Sequence, residues 1–213
     1  MASMNTHELI ETFAATLRRA GVPIKNHDNS QLLAALEQRP PKRLPQSLEH
    51  LLSHFSFPAF DVGGISLFAW DDPSAENEWF AVASARKGSL SEVLLPHGYF
   101  QIGRPDSGIF DAICVDLNTK AQNREHRIVR AGHEEVLCNW RVRITETLRP
   151  SFRALAEHAI AEASSIHYRI GSESIGYPVA VALNGTALMW VLAYLHEPTT
   201  LRSIHHRRLQ QGR

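Results

Sequence analysis

Three aspartates, Asp106, Asp111 and Asp116, recur at five-residue spacing through the stretch HGYFQIGRPDSGIFDAICVDLN, from His97 to Asn118, among three glycines and two short apolar runs. Gathered in a pocket, such carboxylates could act as acids or hold a metal. The local chemistry points elsewhere. Pro105-Asp106-Ser107-Gly108 is turn chemistry: proline presets φ, aspartate closes an Asx-turn and glycine takes positive φ. In a strand over FDAICVDL, Phe110, Ala112, Cys114 and Asp116 share one face, and Asp111, Ile113, Val115 and Leu117 the other. Asp111 and Asp116 then point to opposite faces and form no close acid pair unless a bulge intervenes.

The other chemical candidates are incomplete. His133-Glu134-Glu135, with Cys138 and nearby His126, approaches the H-E-x-x-H zinc pattern, but position 137 is leucine. Read as a strand, His133, Glu135 and Leu137 share a face and Glu134 and Val136 the opposite one. GSESIG, Gly171 to Gly176, is no nucleophile elbow, because Gly171 stands three residues before Ser174. GRPDSG lacks the G-K-[ST] ending of a phosphate loop. His50 and His54, four apart on an expected helix, could share a metal, yet no carboxylate or cysteine beside them in sequence completes a set. His158 is read as a helix-face histidine. No catalytic residue, metal or cofactor is expected, and a metal-dependent hydrolase using His133 and Glu134 stands last among the readings.

Composition excludes several classes. Lys+Arg and Asp+Glu number 22 each, so no bulk field favours nucleic acid or an anionic membrane. Hydrophobic residues at 44% and charged ones at 21% suit an ordinary globular chain of one domain with an appendage. Two cysteines, Cys114 and Cys138, are too few for a disulfide framework; both lie in apolar runs and are expected buried and reduced. MASMNTHELIE has no basic segment followed by an apolar one, so a cytoplasmic protein is expected.

The elements that position these residues begin with three helices. Asn5 or Thr6 caps the first, with Glu8 completing a box and Leu9, Ile10, Phe13, Ala14 and Leu17 forming its stripe; Gly21 and Pro23 end it. NSQLLAALEQR gives a second, burying Leu32, Leu33 and Leu36, with Ser30 or Asn29 as cap. PQSLEHLLSHF gives a third, burying Leu48, Leu51, Leu52 and Phe55. FDVGGISLFAW reads as two strands joined at Gly63-Gly64. After the polar loop DDPSAENE, the segment from Trp79 to Leu95 reads as a short helix and then a strand at SEVLLP. YFQIGR, FDAICVDL, HRIVRA and EEVLCNWRV follow as strands, and LRPSFRALAEHAIAEA as a helix. Helices, a run of antiparallel strands, then a helix define an α+β domain over residues 1–163 with an extension over 164–213.

The segments LPQSLEHLLSHFSFPAF, GGISLFA, LLPHGYFQIGRPDSGIFDAICVDL, VRAGHEEVLCN and RPSFRALAE, taken in order, resemble the SUKH superfamily of Smi/Knr-type cell-wall regulators and bacterial immunity proteins. Leu44, Pro45 and Ser47 match its L-P-x-S/D element. Ile102, Gly103, Cys114, Asp116 and Leu117 match its middle strands, and His133-Glu134 its polar pair before a later strand. The resemblance covers about Leu44 to Ala159. It implies an α+β fold with a twisted sheet and a non-enzymatic, protein-binding role, often neutralising a toxin; a regulatory scaffold in envelope or signalling assemblies is the alternative.

For such a role, Asp61, Asp71, Asp72, Glu76 and Glu78 beside Trp70, Trp79 and Phe80 form the expected partner-binding surface, aromatics supplying anchors and carboxylates steering a basic protein such as a nuclease toxin. Past Ser164 the resemblance fades. SIGYPVAVALNGTALMWVLAYL is uncharged for about twenty residues. Asn184-Gly185 favours a β-hairpin there; a helix from Thr186 to His196 and a membrane tail anchor are the other readings. The basic LRSIHHRRLQQGR tail could touch nucleic acid or a membrane surface, but a short frayed terminus is the commoner explanation.

Overall fold

The computed structural model describes residues 4–38, 43–71, 77–119, 124–168, 180–183 and 187–190. Helix α1 (Thr6–Arg19) starts where expected, because Asn5 accepts the Glu8 N–H while Glu8 accepts that of Asn5. Its stripe of Leu9, Ile10, Phe13, Ala14 and Leu17 is buried. A short strand β1 (Lys25–Asn26) leads to α2 (Ser30–Glu37), where Asp28 rather than Asn29 accepts the Ser30 N–H at 3.0 Å. Asn29 instead donates to the Phe55 carbonyl at 2.9 Å.

Helix α3 (Gln46–His54) follows Pro45 and runs into β2 (Phe55–Ser56), which pairs with β1. One free N–H of its first turn is met from a distance. The Glu125 carboxylate accepts the Ser47 N–H and the Ser47 hydroxyl, both at 2.9 Å, and also the Arg153 N–H at 3.3 Å. Arg153 lies in the first turn of α7 (Phe152–Ala161), so one carboxylate caps two helix N-termini. The buried serine of the L-P-x-S element therefore has a structural role.

Seven strands form one antiparallel sheet. β3 (Phe60–Val62) and β4 (Ile65–Leu67) turn at Gly63-Gly64, both at positive φ. After α4 (Glu78–Ala83) and α5 (Leu90–Leu94) come β5 (Tyr99–Pro105), β6 (Ala112–Asp116) and β7 (Ile128–Ala131). Helix α6 (His133–Asn139), β8 (Ile144–Arg149), α7 and β9 (Ile166–His167) complete the order. In space the strands run β8-β7-β6-β5-β4-β3-β9. Both faces of the central strands are covered. Ile113, Val115 and Leu117 join the main core with α1, α3 and α7, whereas Ala112 and Cys114 pack with Leu90, Val93, Leu94 and Val136 of α5 and α6.

Two expected strands are helices. SEVLLP begins inside α5, where Leu90, Val93 and Leu94 are buried at i, i+3 and i+4 spacing, and Glu92 holds the Gly88 N–H at 2.7 Å. In HEEVLCN, Gly132 interrupts the strand, and Glu134 and Glu135 occupy a first turn whose dipole favours them. Cys138, expected buried, is exposed as a result. Cys114 is buried as expected, and burial, with Asp116 adding to it, pushes its thiol pKa up.

The α+β class is as the sequence indicated. Strand β9 pairs with β3, so the compact unit runs past residue 163, through Met1–Gly171. Ser172–Arg213 forms a second unit, in which β10 (Ala180–Leu183) pairs antiparallel with β11 (Ala187–Trp190). The antiparallel pairing agrees with the expected hairpin, but its register joins Leu183 to Ala187 and leaves three residues between the strands, where a two-residue Asn184-Gly185 turn would join Leu183 to Thr186. Residues 184–186, the His196 end of the alternative helix and the basic tail lie outside the described residues. No helix among the described residues is long and apolar enough to cross a membrane.

Candidate functional site

Neither tryptophan of the expected acidic and aromatic surface reaches solvent. Trp70 is 2% exposed and Trp79 fully buried. The Trp70 indole N–H donates to the Leu52 carbonyl at 2.7 Å, and that of Trp79 to the Ala69 carbonyl at 2.9 Å. The two rings meet edge-on at 5.9 Å, and Phe80 and Phe100 stack on their outer sides. With ring and N–H both satisfied inside, neither tryptophan can anchor a partner in this conformation. Asp61 is buried on β3 opposite His167. Asp71 is exposed, and Glu78 is half-buried in the first turn of α4; Asp72 and Glu76 lie outside the described residues.

The Asp111 and His133 neighbourhood does assemble. Asp111 just precedes β6, Arg130 sits on β7, and His133 opens α6. Asp111 accepts Arg130 Nε at 2.7 Å, the His133 N–H at 3.0 Å and His133 Nδ1 at 2.7 Å. Burial works against the Asp111 charge, and these three donors outweigh it, holding its pKa below the usual carboxylate value. An aspartate orienting a histidine is half of a nucleophile-activating arrangement. Among the described residues, though, no serine, threonine or cysteine is bonded to the other His133 nitrogen. Leu137 stands one helical turn on from His133, where the zinc pattern carries its second histidine. Asp116 has its own arginine, Arg127, at 2.7 Å, so the two aspartates act separately.

This geometry fixes a pH dependence. A depressed folded-state pKa gives stability that is present above the unfolded value of about 4 and lost as pH falls through the folded one. Asp111→Asn is expected to destabilise the chain by about 1–3 kcal/mol at pH 7, with the gap to wild type closing towards pH ~3 and below. Urea titrations at several pH values measure it. A gap constant across that range would contradict the assignment.

Around α6 lies a surface that sequence reasoning missed. Trp140 ends the helix in the left-handed region, φ 52°, and is 61% exposed; Ile109, in the turn before β6, is 43% exposed. Next in the chain comes β8, the edge of the sheet, with Thr145, Glu146 and Thr147 exposed. Reading EEVLCNWRV as a strand concealed this. The signal was Gly132 followed by two glutamates, a helix start rather than a strand.

A second cluster joins α1 to α3. His7, Glu11 and His50 each offer one ligand atom, all within 4.8 Å of one another. His7 Nδ1 lies 3.0 Å from His50 Nε2, with the rings perpendicular. His54 stacks on His50 at 4.1 Å between centroids, and its Nδ1 lies 3.1 Å from the His50 carbonyl. Burial first, then His54 and His7, lower the His50 pKa, with Glu11 opposing. The sequence showed the His50/His54 pair. The carboxylate missing beside it comes from the i, i+4 pair His7/Glu11 on another helix. Compared with protein-family models and with curated proteins, the chain matches none.

Proposed function

We propose that the chain is a non-enzymatic protein-binding domain, and that its partner is a toxin domain whose active groove it covers. The observation that carries the binding role is Trp140: a large aromatic held out in solvent on a positive-φ cap, followed in the chain by β8, whose outer side pairs with no strand among the described residues. Exposed tryptophans are over-represented among residues that dominate interfaces, and open edges accept an added strand. The sequence resemblance to the SUKH superfamily supports the choice of partner class. The acidic residues Asp71, Asp72, Glu76 and Glu78 act in this reading through long-range steering of a basic partner, not as a contact patch with the buried tryptophans.

The test captures partners from the host lysate with the tagged full chain and then measures the affinity of the recovered protein for variants. Trp140→Ala is expected to weaken binding by about 30-fold or more, the scale of a hot-spot residue. Charge reversal at the four acidic positions is expected chiefly to slow association and flatten its salt dependence. Equal affinities of wild type and Trp140→Ala would reject the surface. A recovered envelope or signalling assembly in place of a toxin domain would reject the partner class.

A further inference from the structure

We propose that His7, Glu11 and His50 form a Zn2+ site that clamps α1 to α3, with water in the fourth position. The three donors come from two helices whose apolar faces are already packed into the core, so their backbones are placed before any metal arrives. Two ligands bound to tetrahedral zinc at about 2.0–2.1 Å lie about 3.3 Å apart. The 3.0 Å separation of His7 Nδ1 and His50 Nε2 is close to that edge.

His50 is also oriented from behind. Its ring is stacked on His54, which is itself held by Ser53 Oγ at 2.6 Å and the His50 carbonyl. Such outer contacts fix ring direction at metal sites. The adjoining cleft is lined by Glu37 and Glu49 as well as His7 and His50, which favours a cation; Arg124, paired to Glu49 at 2.9 Å, offsets part of that charge. Two imidazoles and one carboxylate select zinc and its late first-row neighbours over Mg2+ or Ca2+. The site shares no residue with the Trp140 surface.

The full chain, stripped with chelator, is titrated calorimetrically with ZnCl2 as wild type, His7→Ala, Glu11→Gln and His50→Ala. A His205→Ala/His206→Ala double variant tests the adjacent histidines of the tail as a competing site. The expected result is that each of the first three substitutions lowers affinity about tenfold or more, whereas the tail variant keeps the wild-type site. Zinc is also expected to raise the wild-type Tm and leave that of His50→Ala unchanged. Glu11→Gln preserves side-chain shape, so its loss of affinity cannot be ascribed to unfolding. Unchanged affinity in all three site variants, or zinc binding abolished only by the tail variant, would overturn the site.

Discussion

Gly103→Ala is expected to destabilise the chain by about 3 kcal/mol or more, enough to leave much of it insoluble on expression. The reason is space, not backbone conformation. A β-carbon at Gly103 would collide with the Ser66 carbonyl oxygen on the neighbouring strand β4 and would stand 3.2 Å from the Leu67 Cα. Both obstacles are backbone atoms held in the sheet, so neither can rotate away. The register of β5 against β6 also shifts between Gln101 and Gly103, and Gln101 Nε2 holds the Gly103 carbonyl at 3.1 Å, so the strand is already bulged there. Gly108 is the control. It has φ +79 but nothing within 4 Å of its absent β-carbon. Gly108→Ala should therefore cost about 1–2 kcal/mol, from the left-handed conformation alone. Urea unfolding of both variants decides the point, and equal losses would contradict it.

Glu125→Ala is expected to cost about 2–4 kcal/mol, unusually large for a half-buried surface glutamate. Its carboxylate meets the N–H groups of two helix starts and a buried serine hydroxyl, as described above. Removing it leaves Ser47, fully buried, with a hydroxyl and an N–H lacking that acceptor. Ser47→Ala deletes only the hydroxyl, and the two substitutions should couple by about 1 kcal/mol in a double-mutant cycle. Additive losses would show that the carboxylate is solvated rather than capping. The prediction also gives the L-P-x-S element a physical meaning: Leu44 and Ser47 are buried, and the serine fastens α3 to the segment before β7 and to α7.

What the sequence made legible was whatever rests on local chemistry. The capping box at Asn5 and Glu8, the Gly63-Gly64 turn and the Pro105–Gly108 turn each carry their own signal within a few residues, and each stands where expected. The errors fell where two periods compete. SEVLLP and HEEVLCN are short segments with few apolar residues each, so strand and helix fit them almost equally; packing of Val93, Leu94 and Val136 onto the second face of β6 and β7 decided for helix. The candidate surface failed for a different reason. Trp70 and Trp79 lie beside acidic residues in sequence, but sequence neighbours in a loop say nothing about which way a ring faces, and the core claimed both. The histidine cluster was half visible, because a ligand set divided between two helices carries no continuous motif.

The proposed role puts another protein at α6 and the β8 edge. Amide hydrogen exchange of the full chain, alone and saturated with the protein it captures, tests it most directly. Slowed exchange is expected largely within residues 133–149, covering α6, Trp140 and β8, with the interior strands β5 and β6 unchanged. Protection absent from that stretch and concentrated elsewhere would contradict it.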